Sequence, residues 1–125
     1  MITLAEVVQL HKNSIKDFGG SPGIRDINLL KSAVSRPFQS SEDVELYPSV
    51  FEKTAAIFES LIKNQPFIDG NKRTGFLTAY ALLHKYRFEL VASKEKAYDF
   101  VIQVSSSGIS FEVIVIWFRK NSMRI

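Results

Sequence analysis

The spacing Ser/Thr-x-x-Glu occurs at Thr3–Glu6 and again at Ser49–Glu52, each time opening a run of apolar residues at helical intervals. In this arrangement the hydroxyl accepts the amide three residues on, while the glutamate reaches back to the cap's own amide. Two donors that a helix start would otherwise leave unpaired are satisfied at once. Along those runs the chain has little freedom to be anything but helical. After Thr3, the residues Leu4, Val7, Val8, Leu10, His11 and Ile15 recur with a period near 3.6 and predict a helix over 4–18. The segment GGSPG, Gly19 to Gly23, stops it, because two glycines permit positive φ and Pro22 cannot continue a helix.

The same reading carries on along the chain. Asp26 is a plausible cap for a short helix marked by Leu29, Leu30, Ala33 and Val34 and ended by Pro37. The polar stretch Gln39 to Asp43 reads as an exposed connection and a candidate flap over a site. Beyond Ser49, Val50, Phe51, Ala55, Phe58, Leu61 and Ile62 describe a helix buried over much of its surface, the expected centre of the fold. Phe76, Leu77, Tyr80, Leu83 and His84 mark a fourth. Phe88 to Val91 is a short strand or extended link. Ser93 caps a helix through Ala97, Phe100, Val101 and Val104 that Ser107 and Gly108 terminate, and Phe111 to Lys120 forms a last one. The expected fold class is all-α, one compact bundle of about six helices, with residues 1–125 as a single domain.

Composition agrees with this and narrows the setting. A chain of 125 residues that is 46% hydrophobic and holds ten phenylalanines can build one core and is too short for two domains. The absence of cysteine leaves stability to packing and suits a reducing compartment, so a cytoplasmic location is expected. The N-terminus lacks the pattern of a signal peptide, and the apolar run from Val113 to Phe118 is too short to cross a bilayer. A net charge of +3 suits anionic partners, but the basic residues are scattered, which disfavours direct nucleic-acid binding.

The chemistry concentrates in QPFIDGNKRTG, Gln65 to Gly75, between two helices. Gly70 and Asn71 stand where the following helix begins, so its unbonded amides and the positive end of its dipole converge on the loop. Lys72 and Arg73 lie in that first turn, where the dipole disfavours cations; a bound phosphate chain would reverse the sign. Asp69 would then stand at the phosphate edge, where one carboxylate suffices for Mg²⁺ that keeps waters and phosphate oxygens as its other ligands. Phe67 anchors the loop in the core. Taken singly, these residues are a turn, a cap and solvated charges; taken together they point to a ligand. His11 and His84 continue apolar helical stripes and read as core or boundary residues. Arg25 and Asp26 read as structural, with Asp26 already committed to a cap.

The run QPFIDGNKR resembles the Fic/Doc signature, HPFxxGNGR in Fic proteins and HxFxD(A/G)NKR in the Doc branch. FGGSPGIRD, Phe18 to Asp26, is also similar to the Doc N-terminal region, and length and helix count agree. The resemblance implies a small Fic/Doc-like helical domain that binds ATP or another nucleoside triphosphate with Mg²⁺ and modifies a protein hydroxyl. It assigns Asp69 to the metal, and Gly70, Asn71, Lys72 and Arg73 to the phosphates. Fic members transfer AMP and keep glycine at the position of Lys72. Doc members carry lysine there and are understood to deliver the γ-phosphate to a threonine of elongation factor Tu, arresting translation.

The family's catalytic histidine maps onto Gln65. A carboxamide has no basic site at neutral pH, and loss of a general base costs about 10²- to 10⁴-fold in rate. Natural degeneration and an inactivating substitution in a toxin lethal to its host are the two origins open for it. No (S/T)xxxE(G/N) inhibitory run is present: Ser41 and Glu45 have the spacing, but Leu46 follows. Inhibition is therefore expected from an antitoxin whose segment folds on binding. Fic-type AMP transfer and a non-catalytic module that binds nucleotide or antitoxin are the alternatives.

Overall fold

The computed structural model describes residues 1–125. It contains six helices: α1 (Leu4–Phe18), α2 (Ile27–Ser35), α3 (Val50–Asn64), α4 (Asn71–Lys85), α5 (Lys94–Ser106) and α6 (Phe111–Lys120). The caps are those the residues dictate. Thr3 Oγ1 accepts the Glu6 amide at 3.2 Å while Glu6 Oε1 accepts the Thr3 amide at 3.0 Å, closing the first capping box. Ser49, Ser93 and Ser110 accept the amides of Glu52, Lys96 and Val113, and Asp26 Oδ1 takes those of Asn28 and Leu29. Pro37 sits inside a single 3₁₀ turn, Arg36–Phe38, that follows α2. No helix is long and apolar enough to cross a membrane.

Helix α3 is the centre, as its all-round apolar pattern predicts. One side packs with α4, α5 and α6 in a cluster built on Phe58, Phe100 and Phe118, whose rings meet at 5.0–5.7 Å. The other side packs with α1 and α2 through Val7, Leu30, Ala33, Ile57, Leu61 and Phe67. Truncating a fully buried ring such as Phe58 would cost about 3–5 kcal/mol, the transfer term plus the cavity left behind.

Two small sheets complete the fold. β3 (Phe88–Leu90), the expected extended link, pairs antiparallel with β4 (Ser122–Arg124), so the chain end returns to cover the turn after α4. The stretch from Gln39 is not a simple connection: β1 (Ser40–Ser41) and β2 (Val44–Glu45) form a hairpin whose loop residues Glu42 and Asp43 have φ of 52° and 65°. Two central residues with positive φ match the twist of the flanking strands. This hairpin is not a flap over the motif loop. Glu45 holds Lys53 Nζ at 2.8 Å, in the first turn of α3, whereas the motif loop leaves from the last. Eleven helical residues, about 17 Å, carry the chain from Lys53 to Asn64.

Candidate functional site

Helix α3 ends on Gln65, a residue in the left-handed region with φ 49° and ψ 61°. The last carbonyls of the helix need donors, and Arg25 supplies them: Nη2 donates to Asn64 O at 2.7 Å and Nε to Gln65 O at 2.8 Å. The amides of Arg25 and Asp26 both donate to Pro66 O, and Ile68 N donates to Gly23 O, making a one-residue antiparallel bridge between Ile24 and Phe67. The segment after α1 is thus zipped along the motif loop. Arg25 and Asp26 are structural, as their positions suggest.

Within the loop, Asn71 does a job that its place in the motif does not announce. Its Oδ1 accepts the Phe67 amide at 2.9 Å and its Nδ2 donates to Phe67 O at 3.0 Å, both buried. The Asn71 carboxamide thus closes the loop onto Phe67, which leaves its backbone amide as the group free to meet a phosphate. Gly70, at φ 76°, turns the chain into α4 in a conformation costly for other residues. The amides of Asn71, Lys72 and Arg73 make no hydrogen bond in the fold. They are the open donors of a helix start.

Asp69 is exposed, and its carboxylate accepts the Ser21 amide at 3.0 Å and the Gly70 amide at 2.8 Å. Those two bonds, Ser21's first, hold its carboxyl below the usual carboxylate range. Any side chain at Gly20 would meet this carboxylate, since a Cβ there would lie 2.8 Å from Asp69 Oδ2. Arg73 is divided between two tasks. Its Nη1 donates to Ser14 O, Ser14 Oγ and Gly19 O at 3.2–3.3 Å, capping α1, and its guanidinium lies over Phe18. Nε and Nη2 have no partner. Lys72 and Gln65 are exposed, and neither side chain is engaged by the protein.

Gln65, Asp69, Gly70, Asn71, Lys72 and Arg73 all line one cleft of about 870 Å³, within the range of about 300–1,000 Å³ usual for ligand sites. Its second wall is α5, through Lys94, Tyr98, Val101, Ile102, Ser105 and Ser106. Nothing in the linear pattern of α5 distinguishes this wall from a core face. No three of His, Cys, Asp or Glu converge anywhere in the chain. The donor set nevertheless fits magnesium carried by a nucleotide, because one ionised carboxylate beside open amides and a free lysine leaves the remaining ligands to phosphate and water. Of the two histidines, His84 is exposed and stacks loosely on Tyr80, against the boundary position expected for it. His11 is buried, as expected, and contacts the loop from behind.

The loop of this helical domain presents unbonded helix-start amides, an exposed lysine and a carboxylate to one cleft. The Fic/DOC family model matches residues 1–83. Toxin Doc of Mycolicibacterium smegmatis (strain ATCC 700084 / mc(2)155) is 35% identical over 99 residues, 78% of this chain and 76% of that protein. Protein kinase doc of Escherichia phage P1 is 26% identical over 119 residues, 95% of this chain and 93% of its own. The chain belongs to the Fic/Doc family, in its Doc branch.

Proposed function

We propose that this chain is a Doc-type toxin whose cleft binds a magnesium nucleoside triphosphate, with the phosphates on the first turn of α4, and that its chemistry is phosphotransfer to a protein hydroxyl. The observation that carries the reading is the set of three unbonded amides at Asn71, Lys72 and Arg73 beside the free Lys72 side chain. A cation at a helix start costs stability unless an anion covers it. Lys72 also favours γ-phosphate over AMP transfer, because a lysine side chain crowds the backbone nest in which Fic proteins seat the α- and β-phosphates.

Asp69 would hold the magnesium, which when bound would neutralise charge on the phosphates. Gly70 lets the backbone approach, and Lys72 and the free face of Arg73 add charge. In the transfer, the acceptor oxygen bonds to the γ-phosphorus as the bond to the β–γ bridging oxygen breaks, and the hydroxyl proton, with no side-chain base to take it, passes to water or a phosphate oxygen. Gln65, at the position of the family histidine, can orient that hydroxyl through a hydrogen bond but cannot take its proton. The chain is thus a binder with impaired catalysis, slower by about 10²- to 10⁴-fold than a histidine-bearing form. A threonine of elongation factor Tu is the proposed target, and an acidic antitoxin segment that folds onto this basic chain in the cytoplasm is the proposed partner.

Expression of the chain and its Gln65→His variant from a tightly repressed promoter tests this. Growth arrest with a gain of one phosphate on elongation factor Tu, only with Gln65→His, is the expected result. An AMP-sized gain would move the chain to Fic chemistry. No effect from either would favour the second reading, a non-catalytic nucleotide- or antitoxin-binding module, for which Gln65 itself speaks.

A further inference from the structure

One buried titratable group touches the motif loop and takes no part in the chemistry above. His11, on α1, is 3% exposed. Its ring lies parallel to Phe67, with centroids 3.8 Å apart and planes 6° apart. Its Nε2 is 2.8 Å from the Asp69 carbonyl oxygen, 58 residues along the chain. A carbonyl only accepts, so Nε2 carries the proton and donates. The ring also backs onto Gly70, where a Cβ would sit 3.7 Å from Nε2. A single side chain therefore meets Phe67, Asp69 and Gly70.

We infer that His11 is a positioning residue: from α1 it fixes the backbone of the loop at Asp69, and thereby the direction in which the Asp69 carboxylate meets a magnesium-bound phosphate chain. The inference rests on the nucleotide reading above. Asp69 is gripped from both sides. Its carbonyl is drawn inward to the buried ring, and its carboxylate is held outward by the amides of Ser21 and Gly70. Releasing the inner grip leaves a part-buried carbonyl without a donor and frees the peptide between Asp69 and Gly70 to rotate. The outer pair of bonds then loses its fixed origin. His11 cannot itself replace the missing base, since it does not line the cleft and its Nε2 proton is already committed behind the loop.

A core residue and a positioning residue are separated by two substitutions. His11→Phe keeps an aromatic ring to stack on Phe67, somewhat larger than imidazole, but removes the donor. His11→Gln returns an N–H near the place of Nε2 without the ring. Affinity for ATP is measured by calorimetry with excess Mg²⁺ and again in EDTA, alongside the thermal midpoint and the NMR shifts of the Asp69 carbonyl carbon and the Gly70 amide. His11→Phe is expected to weaken MgATP binding about tenfold and metal-free ATP by no more than about twofold, with His11→Gln recovering most of the difference. The Asp69 and Gly70 shifts should move in the first variant and return in the second.

Unchanged MgATP affinity in His11→Phe overturns the inference. So does an equal loss of both forms with a lowered thermal midpoint, which would make His11 packing alone. If the parent chain binds neither form, the nucleotide reading fails, and the shifts decide His11 separately. Movement in His11→Phe that His11→Gln restores upholds the grip on the loop, and no movement ends it.

Discussion

The Asp69 carboxylate meets the amides of Ser21 and Gly70, and both partners prefer it charged. Its pKa is lowered in the folded chain, so the unfolded chain binds the proton more readily. The stability it contributes is fully present above its unfolded value, about 3.9, and is lost as pH falls through the lower folded value. In Asp69→Asn the thermal midpoint should lie below that of the parent at neutral pH, and the gap should narrow as pH falls below about 4. A gap of the same size at pH 3 and pH 7 would remove the carboxylate from the account. Much of the site is legible at this scale: Asp69, Gly70 and Lys72 follow from the motif and the chemistry of a helix start. The roles of Asn71 and Arg73 are not, because a side chain's partner is set by what lies across the fold. Asn71 finds Phe67, and Arg73 finds Ser14 and Gly19.

Elements carry their own signals where the physics is local. Thr3, Asp26, Ser49 and Ser93 each cap the helix that their side chains predict, and Ser110 caps the last one. What joins elements is less visible. Arg36 illustrates it: its guanidinium donates to Tyr47 Oη, Glu59 Oε1, Ser60 Oγ and Ala56 O at 3.0–3.2 Å. It ties the end of α2 and Tyr47, two residues past the hairpin, to the middle of α3. Lys53, buried against Glu45 and the Tyr47 carbonyl, does the same one turn from the start of α3. Replacing Arg36 with alanine leaves Glu59 without this cation, Tyr47 Oη and Ser60 Oγ without this donor, and Ala56 O with its helical partner alone. Arg36→Ala should cost about 2–3 kcal/mol and lower the thermal midpoint by roughly 10 °C, read by thermal denaturation. A change within about 0.5 kcal/mol, the range of an ordinary surface substitution, would show that the network contributes nothing net.

At the scale of the molecule, the family match ends at residue 83, but the core does not. Phe58, Ile62, Ala79 and Leu83 from the matched part pack against Leu90, Phe100, Val104, Ile114 and Phe118 from beyond it. A chain of residues 1–87 would expose that apolar face and lose the α5 wall of the cleft. It should show no cooperative unfolding transition by circular dichroism, where the full chain shows one; a cooperative transition would mean that α1 to α4 fold alone. The residues by themselves determine the helices, their caps, the central place of α3 and the polar loop that begins α4, because periodicity, capping and turn chemistry act over three or four neighbours. Tertiary structure alone decides that the hairpin stands at the far end of α3, that α5 walls the cleft, and that His11 grips Asp69 across 58 residues. Those relations come from burying apolar faces and pairing buried polar groups, forces that act on whatever packing brings together and leave no spacing in the chain to read.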